Sequence, residues 1–192
     1  MKRMIFAVLL GWAGLAQAAT VWDESVFGDF SNDGLAPSSL LFGPGSNSVH
    51  GLTGNAGSGI DRDYFTFEVA AGSMLTAINV LPDTNVSGSV SFFAIQRGPQ
   101  VTALPDGTGA SALLSYSHFN NDLVGQDLLQ FLGLQDLAPG RYSVWVQETG
   151  GLAGYGFDFQ MTPVPLPAAA WLLLGGLAAV SAVRRRASPA GS

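Results

Sequence analysis

Five oxygen-bearing side chains fall into two short runs of the kind that hold a hard metal ion. Asp29, Asn32 and Asp33 sit together in a glycine-containing loop, and Asp61 and Asp63 flank Arg62. Carboxylate and amide oxygens on flexible loops are the ligands Ca2+ accepts. Neither run has the spacing of an EF-hand loop or a nonapeptide repeat, and Asp, Asn and Gly also build turns through local hydrogen bonds alone. Calcium and plain turn-building are both open readings of these residues; no other cofactor is expected. A second candidate chemistry is aromatic. Trp145 falls opposite Tyr142, Val144 and Val146 in an alternating run. It is therefore either an outward-facing platform for a sugar ring or part of a strand buried on both faces.

Most catalytic chemistry is excluded by composition. The only lysine is Lys2, so a phosphate-binding Lys loop, a Schiff base or a Ser-Lys dyad has no lysine beyond the first residues. No G-x-S-x-G or H-E-x-x-H run occurs, and there is no cysteine. His50 and His118 lie far apart in sequence without recognisable partners. A triad assembled in space remains formally open, as does a glycosidase pair drawn from Glu68 or Glu148 with an aspartate. The first is better read as loop or strand-end histidines, the second as ordinary charge on a strand's polar face. A protein without catalytic residues is the expectation.

Charge is sharply partitioned. Of eight Lys and Arg residues, five are Lys2, Arg3, Arg184, Arg185 and Arg186, near the two ends. Residues 19–162 hold three arginines, Arg62, Arg97 and Arg141, against all fourteen acids, a formal charge of −11. That sign argues against nucleic acid and anionic lipid as partners and suits divalent cations and neutral or cationic partners.

The elements that must position these residues read as strands. Short alternating runs recur between Gly, Pro, Asn, Asp and Ser punctuation. Residues 63–69 place Phe65, Phe67 and Val69 on one face and Tyr64, Thr66 and Glu68 on the other. Residues 74–81, 89–97 and 141–149 are further strands. Residues 154–162 form the clearest, with Tyr155, Phe157, Phe159 and Met161 on one side. Residues 20–27 and 38–42 are additional strand candidates. The Gly, Ser and Asn-rich stretch 43–59 predicts a long loop around a short strand at 49–52. Residues 127–133 predict two turns of helix, with Asp127 at the start and Gly133 ending it. The Pro105-Asp106-Gly107 run predicts a turn. Sequential strands with short turns predict an all-β, antiparallel β-sandwich over residues 19–162.

Both ends carry apolar segments. Lys2 and Arg3, an apolar run over 4–15 and the Ala16-Gln17-Ala18 cleavage site make residues 1–18 a signal peptide cut by signal peptidase, so that the mature chain begins at Ala19. The rival, a permanent N-terminal span, is disfavoured by the short apolar run. At the other end come Pro163, Val164, Pro165, Leu166 and Pro167, then an uncharged block over 168–183, then Arg184, Arg185 and Arg186. Those sixteen apolar residues would cover roughly 24 Å as a helix, less than the ~30 Å hydrocarbon core. The span is marginal, with its arginines on the cytoplasmic side of the inner membrane and residues 187–192 as a cytoplasmic tail.

The order of Val164-Pro165-Leu166-Pro167, the greasy run Ala168-Ala169-Ala170-Trp171-Leu172-Leu173-Leu174-Gly175-Gly176-Leu177 and the three arginines resembles the PEP-CTERM sorting signal of exported Gram-negative proteins. It corresponds to the VPLP variant, with Leu166 where the type motif has Glu. The resemblance covers residues 163–186 and implies an exosortase as partner. It further implies transient anchoring in the inner membrane, removal of the tail near the Pro motif, and a final place at the cell surface or outside the cell, often with exopolysaccharide. An ordinary tail anchor and a sortase signal are the rivals; for the latter, Ala169 and Ala170 stand where Thr and Gly belong. Within 19–162, the runs Asp63-Tyr64-Phe65-Thr66-Phe67-Glu68-Val69-Ala70-Ala71-Gly72-Ser73-Met74-Leu75 and Leu137-Ala138-Pro139-Gly140-Arg141-Tyr142-Ser143-Val144 resemble the bacterial pre-peptidase C-terminal domain. That resemblance implies a jelly-roll-like sandwich serving as an accessory module of a secreted protein. The expectation is an exported structural or adhesive protein, with a carbohydrate- or Ca2+-binding module and a hydrolase of scattered residues as alternatives.

Overall fold

In a computed structural model, residues 19–55, 57, 59–86 and 90–164 are described. The strands are β1 (Ala19–Asp23), β2 (Ser38–Ser39), β3 (Gly45–Asn55), β4 (Ile60–Val69), β5 (Ser73–Val80), β6 (Ser91–Arg97), β7 (Leu113–Phe119), β8 (Gly140–Gln147) and β9 (Leu152–Pro163). Two single-turn helices, α1 (Glu24–Phe27) and α2 (Leu128–Phe131), complete the regular elements along with two 3-10 turns.

The strands form two facing sheets. One runs β1-β3-β9-β5 and the other β2-β4-β8-β6-β7. Pairing is antiparallel except for β1 with β3 and β2 with β4. The sheets are joined at one corner by β4. Its first residues pair with β3, Asn55 with Ile60 and Gly54 with Asp61; from Arg62 onward it pairs with β8.

Alternation explains the core. Phe65 and Phe67 point inward from β4 and Phe93 from β6, and they meet Phe157 and Phe159 of β9. The Phe67 and Phe159 rings lie 5.3 Å apart, and Phe93 and Phe157 meet edge-on at the same separation. Each of these side chains is 0–1 % exposed. The all-β expectation is met. A helix does start after Asp127, one turn long rather than the two expected, and Asp127 Oδ1 accepts from Leu129 N–H and also from Ile78 N–H, both at 2.9 Å.

Three further expectations are corrected. The stretch 43–59 is not a loop around a short strand, because β3 pairs with β9 along ten residues. Its small and polar composition meets a steric and polar demand. A Cβ on Gly51 would lie 2.5 Å from Tyr155 Cζ, and the buried Asn47 amide donates to Gly43 O and Gly45 O at 2.9 Å. The strand expected over 20–27 stops at Asp23. The Asp23 carboxylate accepts from Ser25 N–H at 2.9 Å and starts α1 instead. Strand β7, absent from the sequence expectations, closes one edge of the second sheet.

Among the described residues no helix is long and apolar enough to cross a membrane. Residues 1–18, expected to be a signal peptide with Ala16 and Ala18 at its cut, lie outside the described residues. So do Pro165, Leu166, Pro167, the apolar block and Arg184, Arg185 and Arg186. Pro163 is the last residue of β9 rather than the first of an elbow, and Val164 N–H donates to Gly72 O at 2.8 Å.

Candidate metal centre

The corner where β4 leaves one sheet for the other gathers acid. Asp63 shares the phase of Phe65 and Phe67, so its side chain points into the protein rather than out. It is completely buried. Tyr155 of β9 donates its hydroxyl to Asp63 Oδ2 at 2.8 Å, and Gly51 on β3 leaves the space that the phenol occupies. Asp63 Oδ1 has no hydrogen-bond partner among the described residues.

Two further carboxylates come from the chain's first thirty residues. Glu24 opens α1, and Gly28, with φ +92°, turns the backbone so that Asp29 returns towards it. Glu24 is held by backbone donors: Phe30 N–H reaches Oε1 at 2.9 Å and Leu52 N–H reaches Oε2 at 2.6 Å. One oxygen each from Glu24, Asp29 and Asp63 lies within 4.8 Å of the others. The set is graded in depth, with Asp29 exposed, Glu24 half-buried and Asp63 sealed. Above it opens a cleft of about 540 Å3 that Asp61 also lines.

The structure therefore joins the two runs singled out in the sequence, although not all of their members. Asp29 and Asp63 meet, and Asp61 stands beside them. Asn32 braces the wall by donating from Nδ2 to Asp61 Oδ1 at 2.9 Å and accepting Arg62 N–H at 2.7 Å. Asp33 plays the turn-builder's part: its Oδ1 accepts Leu35 N–H at 2.8 Å, away from the cluster. Glu24 and Tyr155 were not foreseen as members. A visible signal for Asp63 was its position two residues before Phe65, which marks an inward carboxylate. Glu24 gave no signal, because the bend that brings it here depends on Gly28.

No positive side chain offsets this charge among the described residues. Arg62 lies on the opposite face of β4, donating from Nε to Gln147 Oε1 at 2.6 Å. His50 is paired with Asp83 at the cleft rim, Nδ1 to Oδ2 at 2.7 Å. Burial pushes the Asp63 carboxyl up to about 9, with the Glu24 charge adding to it and the Tyr155 hydroxyl opposing it. Burial likewise lifts Glu24 to about 7 against the pull of its two backbone donors. Asp61 is raised, first by burial and then by Asp29. At neutral pH Asp63 therefore keeps its proton and Glu24 lies near its midpoint, unless a cation takes the proton's place.

The sign of the pH effect follows. Both folded-state values lie above the unfolded ones, so the folded state binds more protons between about pH 4 and pH 9. Their stabilising contribution is complete below the unfolded values and lost as pH rises through the folded ones. In EDTA the melting temperature should fall from about pH 5 to pH 9; with excess Ca2+ the fall should flatten. A differential scanning fluorimetry series in both conditions checks this, and parallel curves would oppose it.

The other candidate residues are placed elsewhere. Trp145 does not face outward: it is 4 % exposed, stacked on Tyr64 at 5.6 Å and covered by Val101 and Ala103. The reason is that a segment after β6 folds back across the outer face of β8, tied by Val101 N–H to Gly34 O at 2.8 Å. Glu148 is occupied in the β8–β9 turn, where it accepts Thr149 and Gly150 N–H, both at 2.8 Å. Glu68 makes an exposed pair with Arg141 at 3.6 Å. His118 packs edge-on against Phe92.

No protein-family model matches the chain, and no curated protein matches it. Among solved structures it is similar to the pre-peptidase C-terminal domain of collagenase from Bacillus anthracis. The two are 17 % identical with a TM-score of 0.39, over 65 % of this chain and 95 % of that one.

Proposed function

We propose that this chain is an exported, non-catalytic β-module whose corner is completed by one divalent cation of the Ca2+ class. The observation that carries the reading is the Asp63 carboxylate: wholly buried, one oxygen without a partner among the described residues, and within 4.8 Å of two other acids. An orphaned buried carboxylate oxygen costs several kcal/mol in order-of-magnitude terms, and an ion seated among the three would satisfy it. Glu24 and Asp29 would hold the ion from the solvent side and Asp63 from below, with Asp61 lining the cleft beside them. All are hard oxygen donors, and the mixture of loop and strand positions suits the looser geometry of Ca2+ better than the strict octahedron of Mg2+.

Raised carboxyls in a cleft are also what general acid-base catalysis uses. Here Asp63 is sealed beneath Tyr155 and offers no surface to a substrate, which favours the cation. Isothermal titration of EDTA-treated protein with CaCl2 and with MgCl2 tests the reading. One saturable Ca2+ site, weaker for Mg2+, is expected; no heat from either ion would end it.

Export and sorting belong to the same proposal on the strength of the sequence. A signal peptide is processed by signal peptidase. The Val164-Pro165-Leu166-Pro167 elbow, the apolar block and Arg184-Arg185-Arg186 then hand the chain from the inner membrane to an exosortase. That leaves an acidic module at the cell surface or in an exopolysaccharide matrix. The intact mass of the protein released from cells tests this part, because retention of the three arginines is incompatible with processing.

A further inference from the structure

A second cleft, sharing no lining residue with the one at the metal corner, is aromatic. The outer face of the second sheet bears a row of rings crossing four strands. Tyr64 of β4 stacks on Trp145 of β8 at 5.6 Å, and Phe92 of β6 meets Trp145 edge-on at 4.7 Å. Phe92 then reaches Tyr116 and His118 of β7 at 5.9 and 5.8 Å. The register explains the row: Tyr64 lies opposite Trp145, and Phe92 opposite His118. The segment after β6 covers only the first half of it. The second half floors an open cleft of about 300 Å3, walled on the far side by the loop around the Pro105 turn.

We infer that this cleft binds a neutral saccharide, one or two pyranose rings lying against Phe92 and Tyr116. Tyr116 is 56 % exposed, a large aromatic left in water at the mouth of a cleft. The volume is at the lower end for small-molecule pockets, which suits one or two rings. An aromatic face, negative at its centre, attracts the weakly positive C–H edge of a sugar ring. Around the rings stand the polar side chains of His118, Gln147 and Thr149. Gln147 has its Oε1 engaged by Arg62, which aligns its amide nitrogen as a donor.

The lining also discriminates against other occupants. Among the described residues no Asp, Glu, Lys or Arg lines the cleft, so an anionic sugar would find no countercharge there, and the surrounding domain would repel it. An acyl chain or an apolar peptide would cover His118, Gln147 and Thr149 without giving them hydrogen-bond partners. A hydroxylated ring with one apolar face satisfies both parts of the lining. This inference does not rest on the metal reading, and either can fail without the other.

The test uses the full chain in detergent and three neutral probes: cellohexaose, laminarihexaose and xylohexaose. Polygalacturonate and decanoate serve as comparisons, and binding is read by saturation-transfer NMR and calorimetry. At least one neutral oligosaccharide should bind saturably at millimolar concentration. Tyr116→Ala should weaken it about tenfold, whereas Tyr116→Phe should keep it within about twofold. Leu104→Glu, on the opposite wall, should abolish it. Both positions are more than half exposed, so the melting curves should not move, and either variant decides the matter if the other fails to fold. Absence of binding by all three oligosaccharides overturns the inference. So does equal binding by Tyr116→Ala and Leu104→Glu, or a preference for polygalacturonate or decanoate.

Discussion

Asp63→Asn should make the metal-free protein more stable and erase its response to calcium. The carboxyl of Asp63, lifted to about 9 by burial and by Glu24, must take up a proton at about pH 7 in order to fold. From an unfolded value near 3.9, that uptake costs on the order of 4 kcal/mol. Asparagine has the same shape and no charge to lose, and it can still accept the Tyr155 hydroxyl. Its amide nitrogen would replace the orphaned oxygen, at a cost of about 1–3 kcal/mol, which leaves a net gain of roughly 1–3 kcal/mol. For a domain of this size each kcal/mol is worth about 2–4 °C in Tm. In Ca2+ the order should reverse. A ligand at a thousand times its Kd stabilises the wild type by about 4.1 kcal/mol, more than the variant's gain, whereas the variant has lost the deepest ligand. Paired melts in EDTA and in CaCl2 measure both effects. A variant that still responds fully to calcium would remove Asp63 from the site.

Phe159→Ala should be the most damaging single truncation in the core. The ring is 0 % exposed and touches three others: Phe42, from the segment before β3, at 5.0 Å, and Phe65 and Phe67 of β4 at 6.0 and 5.3 Å. It sits on β9, paired with both β3 and β5, so backbone on either side is fixed and cannot collapse into the vacated space. Buried Phe→Ala changes cost about 3–5 kcal/mol, the upper part of that range where relaxation is poor. Native proteins have only about 5–15 kcal/mol in total. Urea titration followed by tryptophan fluorescence should show the midpoint drop steeply with little change in slope. A loss under about 2 kcal/mol would mean that the core repacks.

Legibility in the sequence followed alternation. Strands such as β4 and β9 carry large apolar residues at every second position, so period and inward face could be read directly. Strand β3 could not, because Gly51, Ser48 and Asn47 are chosen for what lies against them rather than for strand propensity. Strand β7 was hidden for a related reason. Its inward positions include Ser115, which bonds Leu132 O at 2.9 Å instead of packing a large apolar group. The candidate metal residues were half legible. Local spacing drew attention to Asp29, Asp61 and Asp63, but Glu24 lies 39 residues before Asp63 in the chain, and nothing short of the fold puts them together. Trp145 kept two readings, outward platform or buried on both faces, because alternation reports which residues share a face, not whether a later segment returns to cover it; the structure has the second.

The position of β9 has a mechanical consequence. The strand runs between β3 and β5, and its last residues, Met161 to Pro163, are still paired with neighbours on one or both sides. Inter-strand hydrogen bonds lie across the strand direction. A pull applied at Val164 along the chain therefore loads both ladders at once in shear, instead of peeling bonds away one by one. Seen from that end, the domain is built like a bolt drawn against two plates, and it should resist tension from a tether there better than tension applied across its sheets.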